Sequence, residues 1–187
     1  SCARQGYKTL FIDGDNTFSA QRLSQIAAEG FKEVAESMIL MKPSSFREQT
    51  MVVDRLTDYV GKNFGLIVVD TVTSLYSLKI AESPEKTFEL NRELNRQVAL
   101  LAQVARTQKI AVLVVSQVRS VFNEATVSIE PAATRVLKFW ADTIIALKPT
   151  ENPRIIKAVL EKVSKKRQPI TCYLKIEETG IHEHLMR

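Results

Sequence analysis

The run Gly65-Leu66-Ile67-Val68-Val69-Asp70-Thr71-Val72-Thr73-Ser74-Leu75 narrows the folds open to this chain more than any other stretch. Leu66 to Val69 is apolar without alternation and ends in β-branched residues, which marks a strand covered on both faces. Covering both faces takes helices above and below a mostly parallel sheet. The run closes on a carboxylate followed by hydroxyl residues. It therefore delivers an acid to the carboxyl edge of the sheet, where open parallel sheets bind ligands. Acids also end strands simply by meeting solvent, so the accompanying segments decide between the two readings.

The chain has 187 residues, a length that suits one domain with a real core. No apolar run approaches the roughly 20 residues that span a bilayer, and the first residues do not resemble a signal peptide. Membrane partners are not expected. Cys2 and Cys172 have no paired spacing, so neither a disulfide framework nor a zinc site is expected, and a reducing cytoplasm fits best. Lys and Arg exceed Asp and Glu by 26 to 21, a mild excess compatible with a polyanionic partner. The chain opens on Ser1, and residues 1–6 read as the last turn of a helix stopped by Gly6. On this reading the sequence begins inside a fold and is N-terminally truncated.

Further strands are expected at Tyr7 to Asp13, Met38 to Met41 and Ala111 to Gln117, the last one buried. Helices are expected from about Ala20 to Glu29, from the capping box Ser45-Phe46-Arg47-Glu48 onward with the apolar stripe Val52, Val53, Leu56 and Val60, from about Glu85 to Thr107, and near Thr134 to Phe139. Lys79 to Pro84 reads as a polar loop, and Val118 to Ala133 is weakly patterned. Arg154 to Lys162 and Ile170 to Ile176 alternate in the manner of half-buried antiparallel strands. The expected fold is α/β: a mixed, mostly parallel sheet flanked by helices, with antiparallel C-terminal strands.

Three strand ends then carry polar groups: Asp13 and Asp15, Asp70, and Ser116-Gln117. Two acids and a Gln converging on one sheet edge suit a metal-bound triphosphate and an attacking water. Elsewhere, Lys162, Lys165, Lys166 and Arg167 form the strongest basic cluster. It reads either as a solvated hairpin or as a phosphate contact. Arg119 and Arg135 flank the weakly patterned segment. Neither of these two has aromatic neighbours placed for base stacking, so sequence-specific readout is not expected. His182 and His184 lack a third ligand and read as surface residues. Phe139, Trp140 and Cys172 read as core residues, and no His accompanies Ser74 or Ser116 to form a hydrolase triad.

At these residues the chain resembles the RecA/RadA recombinase superfamily, and within it most closely the archaeal paralogue branch. The matching pieces are Leu10-Phe11-Ile12-Asp13-Gly14-Asp15-Asn16-Thr17-Phe18 with Arg22, Leu66 to Thr73, Leu113 to Val118, Leu160-Glu161-Lys162 and Ile176 to Ile181. They span nearly the whole chain in unbroken order. The resemblance implies a single RecA-like ATPase core over residues 1–187. It implies that Asp15 stands where a glutamate orients the attacking water, that Arg22 stacks on adenine, and that Asp70 is the acid at Mg²⁺. Gln117 would sense the γ-phosphate and signal to the DNA-binding loop that follows. Loops around Lys79 to Pro84 and Val118 to Ala133 match the family's two DNA-facing loops. Lys162 and the hairpin beyond it would meet DNA phosphates or a nucleotide on a neighbouring protomer.

Two departures stand out. The 187 residues contain no G-x-x-x-x-G-K-[ST] phosphate loop, so nothing in them supplies its backbone N–H nest and Lys. Asp15 is also one methylene shorter than the family's glutamate. The expected function is thus an ATP- and DNA-binding recombinase paralogue assisting recombination and repair, with weak or no hydrolysis. ATP and Mg²⁺ would be cofactors only when a phosphate loop is supplied. The expected partners are single- or double-stranded DNA bound without sequence preference, and a recombinase or a second copy of the chain. Two alternatives stay open: a non-catalytic module docking on a recombinase, and a signalling ATPase of the circadian-clock KaiC type.

Overall fold

The computed structural model describes residues 2–116, 118–123, 126–131, 133–163 and 170–184, and the side chains of 118–131 lie outside the description. After a 3₁₀ turn at Ala3–Gln5, the first elements are β1 (Lys8–Asp13), α1 (Ala20–Ala27), α2 (Phe31–Glu36) and β2 (Met38–Met41). Next come α3 (Phe46–Asp54), α4 (Leu56–Tyr59), β3 (Phe64–Asp70), α5 (Ser74–Glu82), α6 (Thr87–Gln108) and β4 (Ala111–Val114). The remainder is β5 (Val118–Asn123), β6 (Thr126–Pro131), α7 (Thr134–Trp140), β7 (Thr143–Pro149), β8 (Ile155–Val163), β9 (Ile170–Glu177) and β10 (Gly180–His184). The chain divides into two compact units, Ser1–Phe18 with Lys32–Trp140, and Ser19–Phe31 with Ala141–Arg187.

The first unit is built on a parallel sheet in the order β2-β1-β3-β4. Leu10, Ile12, Ile67 and Val69 are inaccessible to solvent, as continuous apolar runs in a parallel sheet require. Helix α6 buries Leu94, Gln97, Val98, Leu101 and Val104, one stripe at helical spacing. Helix α3 buries Phe46, Gln49 and Val53 in the same way. Each fully buried aliphatic side chain contributes on the order of 1.5–3 kcal/mol. The capping box is split: Ser45 Oγ accepts from Glu48 N–H at 3.2 Å, while the Glu48 carboxylate accepts from Ser44 N–H and Oγ, both at 2.8 Å.

Several expectations are corrected in this unit. The supposed loop at Lys79 to Pro84 is largely helix, because Leu75 and Tyr76 anchor α5 in the core and its polar residues form the outer face. Ser83 N–H closes that helix on the carbonyls of Lys79 and Ile80, and Pro84 then opens a 3₁₀ turn leading into α6. The weakly patterned segment folds as an antiparallel hairpin, β5 against β6. Strand β4 is apolar but not buried: among the described residues it pairs only with β3, and Leu113 is 54% exposed. Phe139 is exposed rather than in the core, while Trp140 packs against the core and donates its Nε1–H to Asn95 at 2.9 Å.

The second unit carries an antiparallel sheet in the order β10-β9-β8-β7, with α1. The ladders Ile145↔Leu160↔Ile170 and Leu147↔Ala158↔Cys172 put apolar residues on one face. Of these only Ala158 is fully buried. Cys172, read from its alternation as a core residue, is exposed. Its strand has the right period, but the face it lines is open.

Candidate nucleotide site at the parallel sheet edge

Register brings the first unit's acids together. Asp13 lies directly opposite Asp70 at the carboxyl ends of β1 and β3, and Gly14 N–H donates to the Asp70 carbonyl at 2.7 Å. A Cβ on Gly14 would stand 2.6 Å from the Thr71 carbonyl oxygen, so only glycine lets the two strand ends approach this closely. The Asp70–Thr71 peptide bond is cis.

The acids have different jobs. Asp13 is buried, and its two carboxylate oxygens accept from Thr17 N–H and Phe18 N–H, both at 3.0 Å. Lys42 Nζ stands 3.6 Å from the same carboxylate and donates to Asn16 Oδ1 at 3.0 Å. Asp13 therefore staples the turn that presents Asp15. Asp15 is half-buried, and its Oδ1 accepts from Thr71 Oγ1 at 3.2 Å. The Thr71 hydroxyl is itself held by Ser74, through N–H at 3.2 Å and Oγ at 2.5 Å.

The Asp70 carboxyl is pushed above the usual carboxylate range, first by burial and then by the negative charges of Asp15 and Asp13. A cation bound there would relieve that repulsion. Among the described residues no three His, Cys, Asp or Glu side chains group as a complete metal cage. One carboxylate with the remaining positions left to water and phosphate is how Mg²⁺ is commonly held, so the donor set fits that ion. A cleft of about 470 Å³ opens beside Asp15, lined also by Gly14, Thr17, Ser74, Ser77 and Leu78. The Ser77 hydroxyl is buried and has no hydrogen-bond partner among the described residues.

Buried amides support the loop behind the acids. Gln49 donates from Nε2 to the Val72 carbonyl at 3.1 Å and to Gln97 Oε1 at 2.8 Å, while Gln97 donates to Thr50 Oγ1 at 2.8 Å. Val72 N–H in turn donates to the Val115 carbonyl at 3.0 Å. Lys42, Thr71, Gln49 and Gln97 are absent from the sequence-based site. A usable signal existed for the two amides, since both fall on the core-facing stripes of their helices.

Arg22, in the second unit, donates to the Glu178 carbonyl at 2.8 Å, the Glu177 carbonyl at 2.5 Å and Gln25 Oε1 at 3.2 Å. Lys79 is on α5, paired with Glu82 at 2.9 Å. Arg135 is exposed on α7, and Lys162 stands near the end of β8 opposite Ile144. Arg119 belongs to β5, with its side chain outside the description. Gln117, Lys165, Lys166 and Arg167 lie outside the described residues.

A parallel sheet that gathers carboxylates at the ends of adjacent strands, followed in the sequence by a separate antiparallel sheet, defines a RecA-like fold. The chain belongs to the Rad51 family, whose profile matches residues 3–184. It is similar to the DNA repair and recombination protein RadB of Methanococcus maripaludis, 32% identical over 176 residues, covering 94% of this chain and 78% of that protein. The corresponding protein of Methanocaldococcus jannaschii is 34% identical over 155 residues, covering 83% of this chain and 70% of that protein. Among solved structures, the crystal structure of the RadB recombinase aligns with a TM-score of 0.81 at 31% identity, covering 98% of this chain and 82% of that one. RadB is the archaeal paralogue branch that the sequence motifs resemble.

Proposed function

We propose that the chain is an ATP- and DNA-binding recombinase paralogue that assists homologous recombination and DNA repair, with weak hydrolysis at most. The observation that carries this reading is the pairing of Asp13 with Asp70, with Asp15 tied to Thr71 beside them. Asp70 would hold Mg²⁺, which when bound supplies charge neutralisation to the phosphates. Asp15 would orient the attacking water and Gln117 would read the γ-phosphate. Arg22 would contact the base, with Lys162 reaching a nucleotide on a neighbouring protomer. Phosphate contacts from Lys79, Arg119, Arg135, Lys165, Lys166 and Arg167 would hold DNA without regard to sequence. A second copy or a true recombinase is the expected protein partner.

The test of the chemistry joins the chain to the phosphate-loop segment of a RadB relative and follows a single turnover. We expect Mg²⁺-dependent nucleotide binding that Asp70→Asn removes, and slow hydrolysis that Asp15→Glu accelerates. The 187 residues alone should not turn over ATP. The shorter side chain retracts the carboxylate by about 1.5 Å, and misplacements of that size can cost on the order of 100-fold. Equal rates for the Asp15→Glu variant and its parent at equal affinity would remove that explanation. Rapid turnover by the 187 residues would overturn the reading.

A further inference from the structure

The antiparallel sheet has a second face, and it is basic. Lys148 lies directly opposite Lys157 across β7 and β8, Lys157 opposite Tyr173, and Tyr173 opposite His184. One row thus crosses all four strands, a span of about 14 Å at ordinary strand spacing. Two positions along, Lys175 lies opposite His182. Like charges placed directly opposite destabilise a sheet, and no carboxylate faces Lys148 or Lys157 in either ladder. Among the described residues of these strands, the acids that share this alternation are Glu161, at the register shift of β8 and four residues beyond Lys157, and Glu177, which Lys175 occupies at 2.6 Å. Lys148 is exposed, and Lys157, Tyr173 and His184 are half-exposed.

We propose that this face binds a single strand of nucleic acid, with Lys148 and Lys157 on phosphates and Tyr173 under a base. A polyanion offsets the repulsion between the opposed lysines, which an uncharged or basic partner cannot do. A flat sheet with one aromatic between cations fits a strand whose bases are free to stack. A duplex hides those faces. This inference rests on the reading that the chain binds nucleic acid, but it places the contact on strands that the sequence motifs do not single out. The chemistry is shared by DNA and RNA.

The experiment is fluorescence anisotropy of the 187-residue chain with oligothymidylate, oligouridylate and a duplex, over a range of salt. Lys148→Glu and Lys157→Glu should each weaken single-strand binding about tenfold or more, and each should make the log–log salt slope shallower by about 0.7. Their melting temperatures should match or exceed the parent's, because each change sets a carboxylate against the remaining lysine; this separates lost binding from lost folding. Tyr173→Leu should weaken binding about fivefold or more with the salt slope unchanged. Equal losses with both oligomers assign the site to single strands generally, and loss with one assigns it to that nucleic acid. The proposal is overturned if either lysine variant binds as the parent does, or if the duplex binds as tightly as the single strands. If the parent binds no nucleic acid, the broader reading fails with it; if the parent binds and the variants match it, only the sheet assignment fails.

Discussion

The two units handle charge in opposite ways, and the difference follows from strand direction. In the first unit every strand of the main sheet points the same way, so acids at the ends of β1 and β3 meet at one edge. In the second, alternate strands reverse, so no edge collects like ends, and charge gathers along a face through cross-strand rows. A parallel sheet therefore builds a point site, suited to a small ion or phosphate group. An antiparallel sheet builds a strip, suited to an extended chain.

The contrast in burial gives the largest expected effect. Leu94→Ala removes a wholly buried side chain from the first unit and should cost about 2–5 kcal/mol. Leu147→Ala, at a position 58% exposed in the second, should stay within about 0.5 kcal/mol. Urea denaturation measures both. A Leu147→Ala loss rivalling that of Leu94→Ala would show that the open apolar face is packed in solution.

Next comes the strand junction itself. Gly14→Ala forces a methyl toward the Thr71 carbonyl and should destabilise by about 1–3 kcal/mol. In a protein of this size that lowers the melting temperature by about 2–4 °C per kcal/mol. Gly65→Ala should destabilise as well, since there the new methyl stands 2.9 Å from Tyr7 Cβ, an atom that moves only with its own backbone.

Charge crowding at the same edge predicts a pH dependence. The Asp70 carboxyl titrates above its unfolded value, so the folded state binds the extra proton in that window and stability falls as pH rises through it. Asp70→Asn should therefore raise the melting temperature at neutral pH, with the gain gone below the unfolded carboxylate range. A gain that persists in acid would mean that charge is not the cause. The smallest effect belongs to Lys79→Ala, which breaks one exposed pair with Glu82 and should change stability by less than about 0.5 kcal/mol. A loss of DNA affinity in that variant would then report contact rather than folding.

The point site was far more legible in the sequence than the strip. An apolar run ended by an acid announces both its strand and the position of the carboxylate, and Met38 to Met41 was delimited to the residue. The direct opposition of Asp13 and Asp70 needed only two such strands side by side. Thr71 as the partner of Asp15 was not legible, because it depends on how close two backbones come at Gly14. Gln49 and Gln97 hid because polar residues on a core stripe look like interruptions until their hydrogen bonds are seen. Cross-strand rows depend on register, which a bulge between Ile144 and Ile145 shifts and alternation alone cannot fix. The segment from Val118 to Ala133 is only weakly patterned, so the pairing of β5 with β6 was not legible.

Strand β4 has a bearing on how the protein must be handled. Among the described residues it pairs on one side only, with β3, and its run Ala111-Val112-Leu113-Val114 carries no charge, proline or bulge. Natural sheets guard such borders against adhesion to other chains. Refolding yields of this polypeptide should therefore fall with concentration, and dilute, low-temperature preparation should recover the largest monomeric fraction.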